Sequence, residues 1–107
     1  MRLISPKKVC EEFHLTYELK GAQKAVDILS RHYGIRRMKI IVDGRMVGKG
    51  NEASYNECTA YFKKMGLNKR NVLHEFYHHL AYIYDLESSD RKEELNANRY
   101  VRIILNK

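Results

Sequence analysis

The sequence predicts an α+β fold: a long supporting helix, a small twisted and mainly antiparallel sheet, then two further helices. Three observations predict it. Apolar residues recur at three- and four-residue spacing as far as Tyr33, the period shortens toward two between Ile35 and Phe62, and helical spacing returns after Asn68. At 107 residues the chain makes a single domain spanning residues 1–107, large enough for a modest core and too small for a separate regulatory module.

The first helical signal is Ser5-Pro6, a cap followed by proline at the first helical position, with Val9, Cys10 and Phe13 as a short apolar stripe. A break near Leu15-Thr16 lets Thr16 cap a longer helix through Leu19, Ala22, Ala25, Val26, Leu29 and Tyr33, which Gly34 ends. His14 and His32 lie near the ends of these segments without a ligand partner at helical spacing, and read as surface or core histidines.

Met38, Ile40 and Val42 then alternate with Lys39 and Ile41. Asp43-Gly44 predicts a tight hairpin into Arg45, Met46 and Val47. Gly48-Lys49-Gly50-Asn51 is a loop with no following helix start and no Gly-Lys-Ser/Thr, which excludes a phosphate-binding loop. Short strands near Ala53–Tyr55 and Cys58–Phe62, joined at Asn56-Glu57, complete the sheet.

Gly66 breaks the pattern, Asn68 or Asn71 can cap a helix, and no proline or glycine interrupts the run from Asn68 to Leu86. Leu73, Phe76, Tyr77, Leu80 and Tyr84 form its buried stripe. Within it stands His74-Glu75-Phe76-Tyr77-His78, the His-Glu-x-x-His pattern that places two imidazoles one turn apart on one side, where they can grip a zinc ion. Glu75 flanks that position and can deprotonate a zinc-bound water, a hydrolytic arrangement. Catalytic zinc takes three protein ligands and keeps a water, so a third ligand must come from downstream. A metzincin requires glycine and histidine at offsets that hold Ala81 and Tyr84 here, which excludes that class. The chain instead turns at residues 86–90 and enters a second helix, from about Arg91 to Leu105, capped by Ser89 or Asp90. Glu94, Ala97, Asn98, Val101, Ile104 and Leu105 share one face of it, which turns Glu94 inward, where a carboxylate wants a cation.

Glu94-x-x-Ala97-Asn98, after His74-Glu75-x-x-His78 and a short connection, resembles the gluzincin metallopeptidases, and in a chain this short the minigluzincins, soluble minimal scaffolds similar to the catalytic domains of membrane-embedded metallopeptidases. The likeness covers about residues 51–105. It implies His74, His78 and Glu94 as zinc ligands, Glu75 as general base in peptide-bond hydrolysis, and the last two helices as an active-site helix and a glutamate helix. The residue four after the glutamate is commonly an aspartate that hydrogen-bonds a zinc-binding histidine. Here it is Asn98, which keeps an acceptor oxygen and gives up the charge. The resemblance also implies that Asn51, Ala53 and Tyr55 belong to an edge strand that pairs with the substrate main chain, with an ordinary meander strand as the alternative. Tyr55, Tyr77, His79, Tyr84 and Tyr100 all stand open as partners of the zinc in stabilising the oxyanion. Minigluzincins are regarded as self-inhibited, which makes residues 1–5 a candidate segment over the cleft of the same chain or a neighbour's; stapling of the first helix by Leu3 and Ile4 is the alternative.

The net charge of +7 is spread along the chain among acidic residues, a pattern of solvated faces, so no nucleic acid is expected. No run approaches the ~20 apolar residues of a membrane span, and the first residues lack the apolar core of a secretory signal, so no membrane association and a cytoplasmic setting are the expectation. Cys10 and Cys58 read as core thiols rather than a disulfide. Two other functions fit the same residues: a non-catalytic zinc-stabilised domain in which Cys10 closes the coordination shell, and a basic nucleic-acid-binding module.

Overall fold

Two helices open the chain, as expected. In the computed structural model, which describes residues 6–86 and 88–106, α1 spans Lys7–Lys20 and α2 spans Ala22–Tyr33. The break expected at Leu15-Thr16 falls instead at Gly21, whose φ of 95° only glycine adopts without strain. Thr16 stays helical, Leu19 turns outward, and Cys10, Phe13, Ala25, Val26 and Leu29 face the core. Pro6 occupies the cap position itself, and Gly34 ends α2 in the left-handed conformation as expected. The proposed covering segment, residues 1–5, lies outside the described residues.

The sheet is small and mixed, with β1 (Lys39–Val42), β2 (Ala53–Asn56) and β3 (Thr59–Phe62) in the order β1-β3-β2. β2 and β3 form an antiparallel hairpin; β1 pairs with β3 in parallel. The hairpin expected at Asp43-Gly44 does not form, because Asp43 caps a 3₁₀ turn, Gly44–Met46. Its Oδ1 accepts from the Arg45 backbone N–H at 3.1 Å while the Arg45 guanidinium pairs with the same carboxylate. The chain therefore crosses over to β2 and returns through β3. The β2–β3 turn sits at Glu57-Cys58, one residue beyond the expected place. Both residues have positive φ, 42° and 67°, as a two-residue primed turn requires.

The two sheet edges are treated differently. Along β1 the Gln23 side chain of α2 acts as a substitute strand: its Nε2 donates to Met38 O at 2.9 Å and its Oε1 accepts from Ile40 N at 2.8 Å. That edge is closed to further pairing. Along β2 the Lys63 N–H donates to Glu52 O at 3.0 Å, so the alternation of an antiparallel ladder directs the N–H and C=O of Ala53 and Tyr55 away from β3. Among the described residues these outward groups meet no backbone partner.

Over this sheet lies α3 (Lys69–Ile83), against which α4 (Asp90–Leu105) packs. Val72, Leu73, Phe76 and Leu80 of α3 are fully buried with Phe13, Leu29, Met38 and Phe62. Tyr84, expected on that stripe, lies at the surface, where its hydroxyl donates to Tyr33 O. α3 ends in a left-handed Asp85 with Leu86 N–H returned to Ala81 O at 2.9 Å, a Schellman closure, and Ser89 caps α4 by accepting from Lys92 N. This short reversal packs the start of α4 against the end of α3. Among the described residues, no helix is long and apolar enough to cross a membrane.

Replacing Gln23 by alanine removes the groups that satisfy the β1 edge, so stability should fall by about 1–3 kcal/mol, read from urea unfolding. An unchanged midpoint would show that water closes that edge equally well.

Candidate metal centre

The geometry starts from how α3 is anchored. Asn68 caps it, accepting from Asn71 N at 2.9 Å, and Asn71 Nδ2 donates to Gly66 O at 2.8 Å. Gly66 is required there, since an added Cβ would come within 2.4 Å of the Glu52 carbonyl oxygen. The first turn of α3 is thus fixed against the start of β2. From that anchor, the apolar stripe enters the core while His74, Glu75, His78 and Tyr82 face a cleft of about 580 Å³. Asn51, Ala53 and Tyr55 line its other wall. The predicted edge-strand residues and the His-Glu-x-x-His residues therefore share one cleft.

His74 and His78 stand one turn apart with ring centroids 5.0 Å from each other. Glu94 of α4 reaches both: its Oε2 lies 2.9 Å from His74 Nε2 and its Oε1 3.0 Å from His78 Nε2. The Asn98 side chain, one turn further along α4, lies close enough to His74 to favour its protonated form. Glu93, the neighbour and alternative to Glu94 in the sequence, also takes part: its Oε2 is 2.5 Å from His78 Nδ1. The buried face of α4 runs through Ala97, Tyr100, Val101 and Ile104, and extending it back by one turn reaches Glu93. Glu94 is the more exposed of the pair, at 56% against 30%, and flanks the interior rather than entering it as expected. Adjacent glutamates on the boundary of an apolar stripe are the mark by which both could have been found.

Glu75 is 7% exposed and has no hydrogen-bond partner among the described residues. Burial pushes its carboxyl up to about 7, and burial likewise lowers His74. One ligand atom from each of His74, Glu75 and His78 lies within 4.8 Å of the others. Two imidazoles and a carboxylate suit zinc. A tetrahedral ion with ~2.1 Å bonds separates its ligand atoms by roughly 3.4 Å, and the Glu94 oxygens lie 2.9 and 3.0 Å from the two Nε2 atoms. Glu93 on His78 Nδ1 leaves that ring's Nε2 turned toward Glu94, and Asn98 stands beside His74. Cys10 is buried among core residues and does not line the cleft, so it closes no coordination shell here, and neither Cys10 nor Cys58 is in a disulfide.

Behind the cleft lies a second network. His79 is fully buried with both ring nitrogens engaged. Its Nε2 lies 2.6 Å from Arg36 O, which can only accept, so Nε2 carries the proton. Burial lowers the pKa of the ring and keeps it neutral. Nδ1 is then the acceptor for the Tyr55 hydroxyl at 2.7 Å, and the same hydroxyl oxygen accepts from Cys58 N at 2.8 Å. His79 thereby ties β2 and its strained turn to α3. It also commits the Tyr55 O–H. Of the other residues considered for the oxyanion, Tyr77 and Tyr100 are buried away from the cleft lining, and Tyr84 is bonded to Tyr33.

Among the described residues, the cleft wall includes Glu57, Glu75, Glu93 and Glu94 and no lysine or arginine. No family model, curated protein or solved structure matches this chain.

If Glu93 and Asn98 orient zinc-binding rings, Glu93→Gln and Asn98→Ala should each weaken zinc by ~10- to 100-fold in competition with a chromophoric chelator. Wild-type affinity in both variants would reduce them to packing residues.

Proposed function

We propose that this chain is a zinc-dependent metallopeptidase of the gluzincin type, hydrolysing peptide bonds. The observation that carries the reading is Glu75: a buried carboxylate without a hydrogen-bond partner among the described residues, facing a cleft beside two imidazoles that one glutamate spans. His74, His78 and Glu94 are the residues that would hold the metal. Zinc, when bound, supplies Lewis acidity toward the scissile carbonyl and lowers the pKa of a water.

The remaining work falls to the chain. An extended peptide adds to β2 through the outward N–H and C=O groups of Ala53 and Tyr55, which select for backbone conformation rather than for a particular sequence. Glu75 takes a proton from water as its oxygen adds to the carbonyl carbon, and gives that proton to the amide nitrogen as the C–N bond breaks. No bond forms between enzyme and peptide. Glu75 is mostly buried but lines the cleft, so its carboxylate meets water that enters there.

Glu75→Gln keeps the size of the side chain and removes its proton acceptor. Zinc content and melting temperature should be preserved while peptide cleavage falls by several orders of magnitude. Turnover equal to wild type in the glutamine variant would remove Glu75 as the base and, with it, the observation on which the reading stands.

A further inference from the structure

His74, His78 and Tyr82 follow one another at four-residue intervals on α3, so they form a single stripe along the cleft. Helical side chains lean toward the helix N-terminus, which carries the Tyr82 ring back over the His78 turn. Its ring meets that of Tyr55 edge-on, with centroids 6.1 Å apart. That contact places it beside the residue whose outward backbone groups face the cleft. Tyr82 is nevertheless 52% exposed, and its hydroxyl has no partner among the described residues.

An exposed tyrosine on a helix usually marks nothing. The distinction here comes from what surrounds it. Every other phenol considered for substrate contact is engaged or lies away from the cleft. Tyr55 donates to His79 and accepts from Cys58, Tyr84 donates to Tyr33, and Tyr77 and Tyr100 are buried in the α3–α4 interface. His79 has no ring nitrogen to spare. Among the described residues the cleft wall holds no lysine or arginine, so a carbonyl oxygen entering it meets neutral donors, of which Tyr82 is the one phenol with an uncommitted hydroxyl, beside main-chain N–H groups and the Asn51 and Asn56 amides.

We propose that the Tyr82 hydroxyl donates a hydrogen bond to a carbonyl oxygen of the peptide held along β2. This substrate-contacting role rests on the metallopeptidase reading. A phenol suits it, because the ring is braced by Tyr55 and only the O–H must be oriented on binding.

The test uses fluorescein-labelled casein as both substrate and ligand. Tyr82→Phe should keep its zinc and its melting temperature while kcat/KM falls by ~10- to 100-fold, since a donor to a substrate carbonyl is lost and nothing in the fold is. Tyr84→Phe, which removes a hydroxyl outside the cleft, should cleave like wild type. Binding is read separately from turnover in the Glu75→Gln background, where adding Tyr82→Phe should weaken casein binding by about tenfold in fluorescence anisotropy. Equal binding with and without the Tyr82 hydroxyl, or equal kcat/KM, overturns the proposal while leaving the metallopeptidase reading in place. A zinc-loaded wild type that binds casein through Tyr82 and never cleaves it overturns the peptidase reading and leaves the contact standing. No casein binding in either background overturns the contact.

Discussion

Everything in the cleft depends on one carboxylate meeting two imidazoles. Glu94 spans His74 Nε2 and His78 Nε2 at 2.9 and 3.0 Å, and Glu93 stands behind His78 at its other nitrogen. With Glu75 buried alongside, three carboxylates converge on two histidines. Gathering that much negative charge in a partly dry place is unfavourable unless a cation balances it. His74, Glu75 and His78, with one ligand atom each within 4.8 Å of the others, could hold a metal ion. The charges, more than the motif itself, single out the cleft from a surface cluster.

The rest of the fold delivers that constellation and leaves one side of it accessible. Gly66 and the Asn68–Asn71 cap fix where α3 starts, and the Schellman closure at Asp85 fixes where it turns back, which together set the phase between the histidines of α3 and the glutamates of α4. His79, on the far side of α3, holds β2 in place through Tyr55. The contrast between the edges follows the same logic. β1 is sealed by Gln23, whereas β2 keeps two residues' worth of outward backbone groups along the cleft. A sheet edge exposed without use invites aggregation, so selective sealing is consistent with β2 being kept for pairing.

Much of this could be read from residues alone. The change of period marked helix, sheet and helix, and the spacing of His74, Glu75 and His78 placed them together because an α-helix allows little else. What could not be read was set by non-local competition. Asp43-Gly44 looks like a hairpin turn, but a nearby Arg45 gives the Asp43 carboxylate a better local use, and β1 then pairs in parallel with a strand that comes later. Thr16 looks like a cap until Gly21 supplies a cheaper break. Glu93 and Glu94 differ by one residue at the edge of an apolar stripe. Deciding which reaches a ring nitrogen and from which side needs the phase between two helices, which no single helix encodes. Tyr82 escaped notice for a related reason: its value lies in the engagement of its competitors.

The most direct test of the account is metal analysis of the purified chain joined to its thermal unfolding. The account predicts one zinc per chain after equilibration with the ion, and a melting temperature that falls on chelation and returns when zinc is restored, because an ion bound only by the folded state adds its binding free energy to folding. A chain that retains no zinc, and whose melting temperature is the same with chelator and with added zinc, would contradict it.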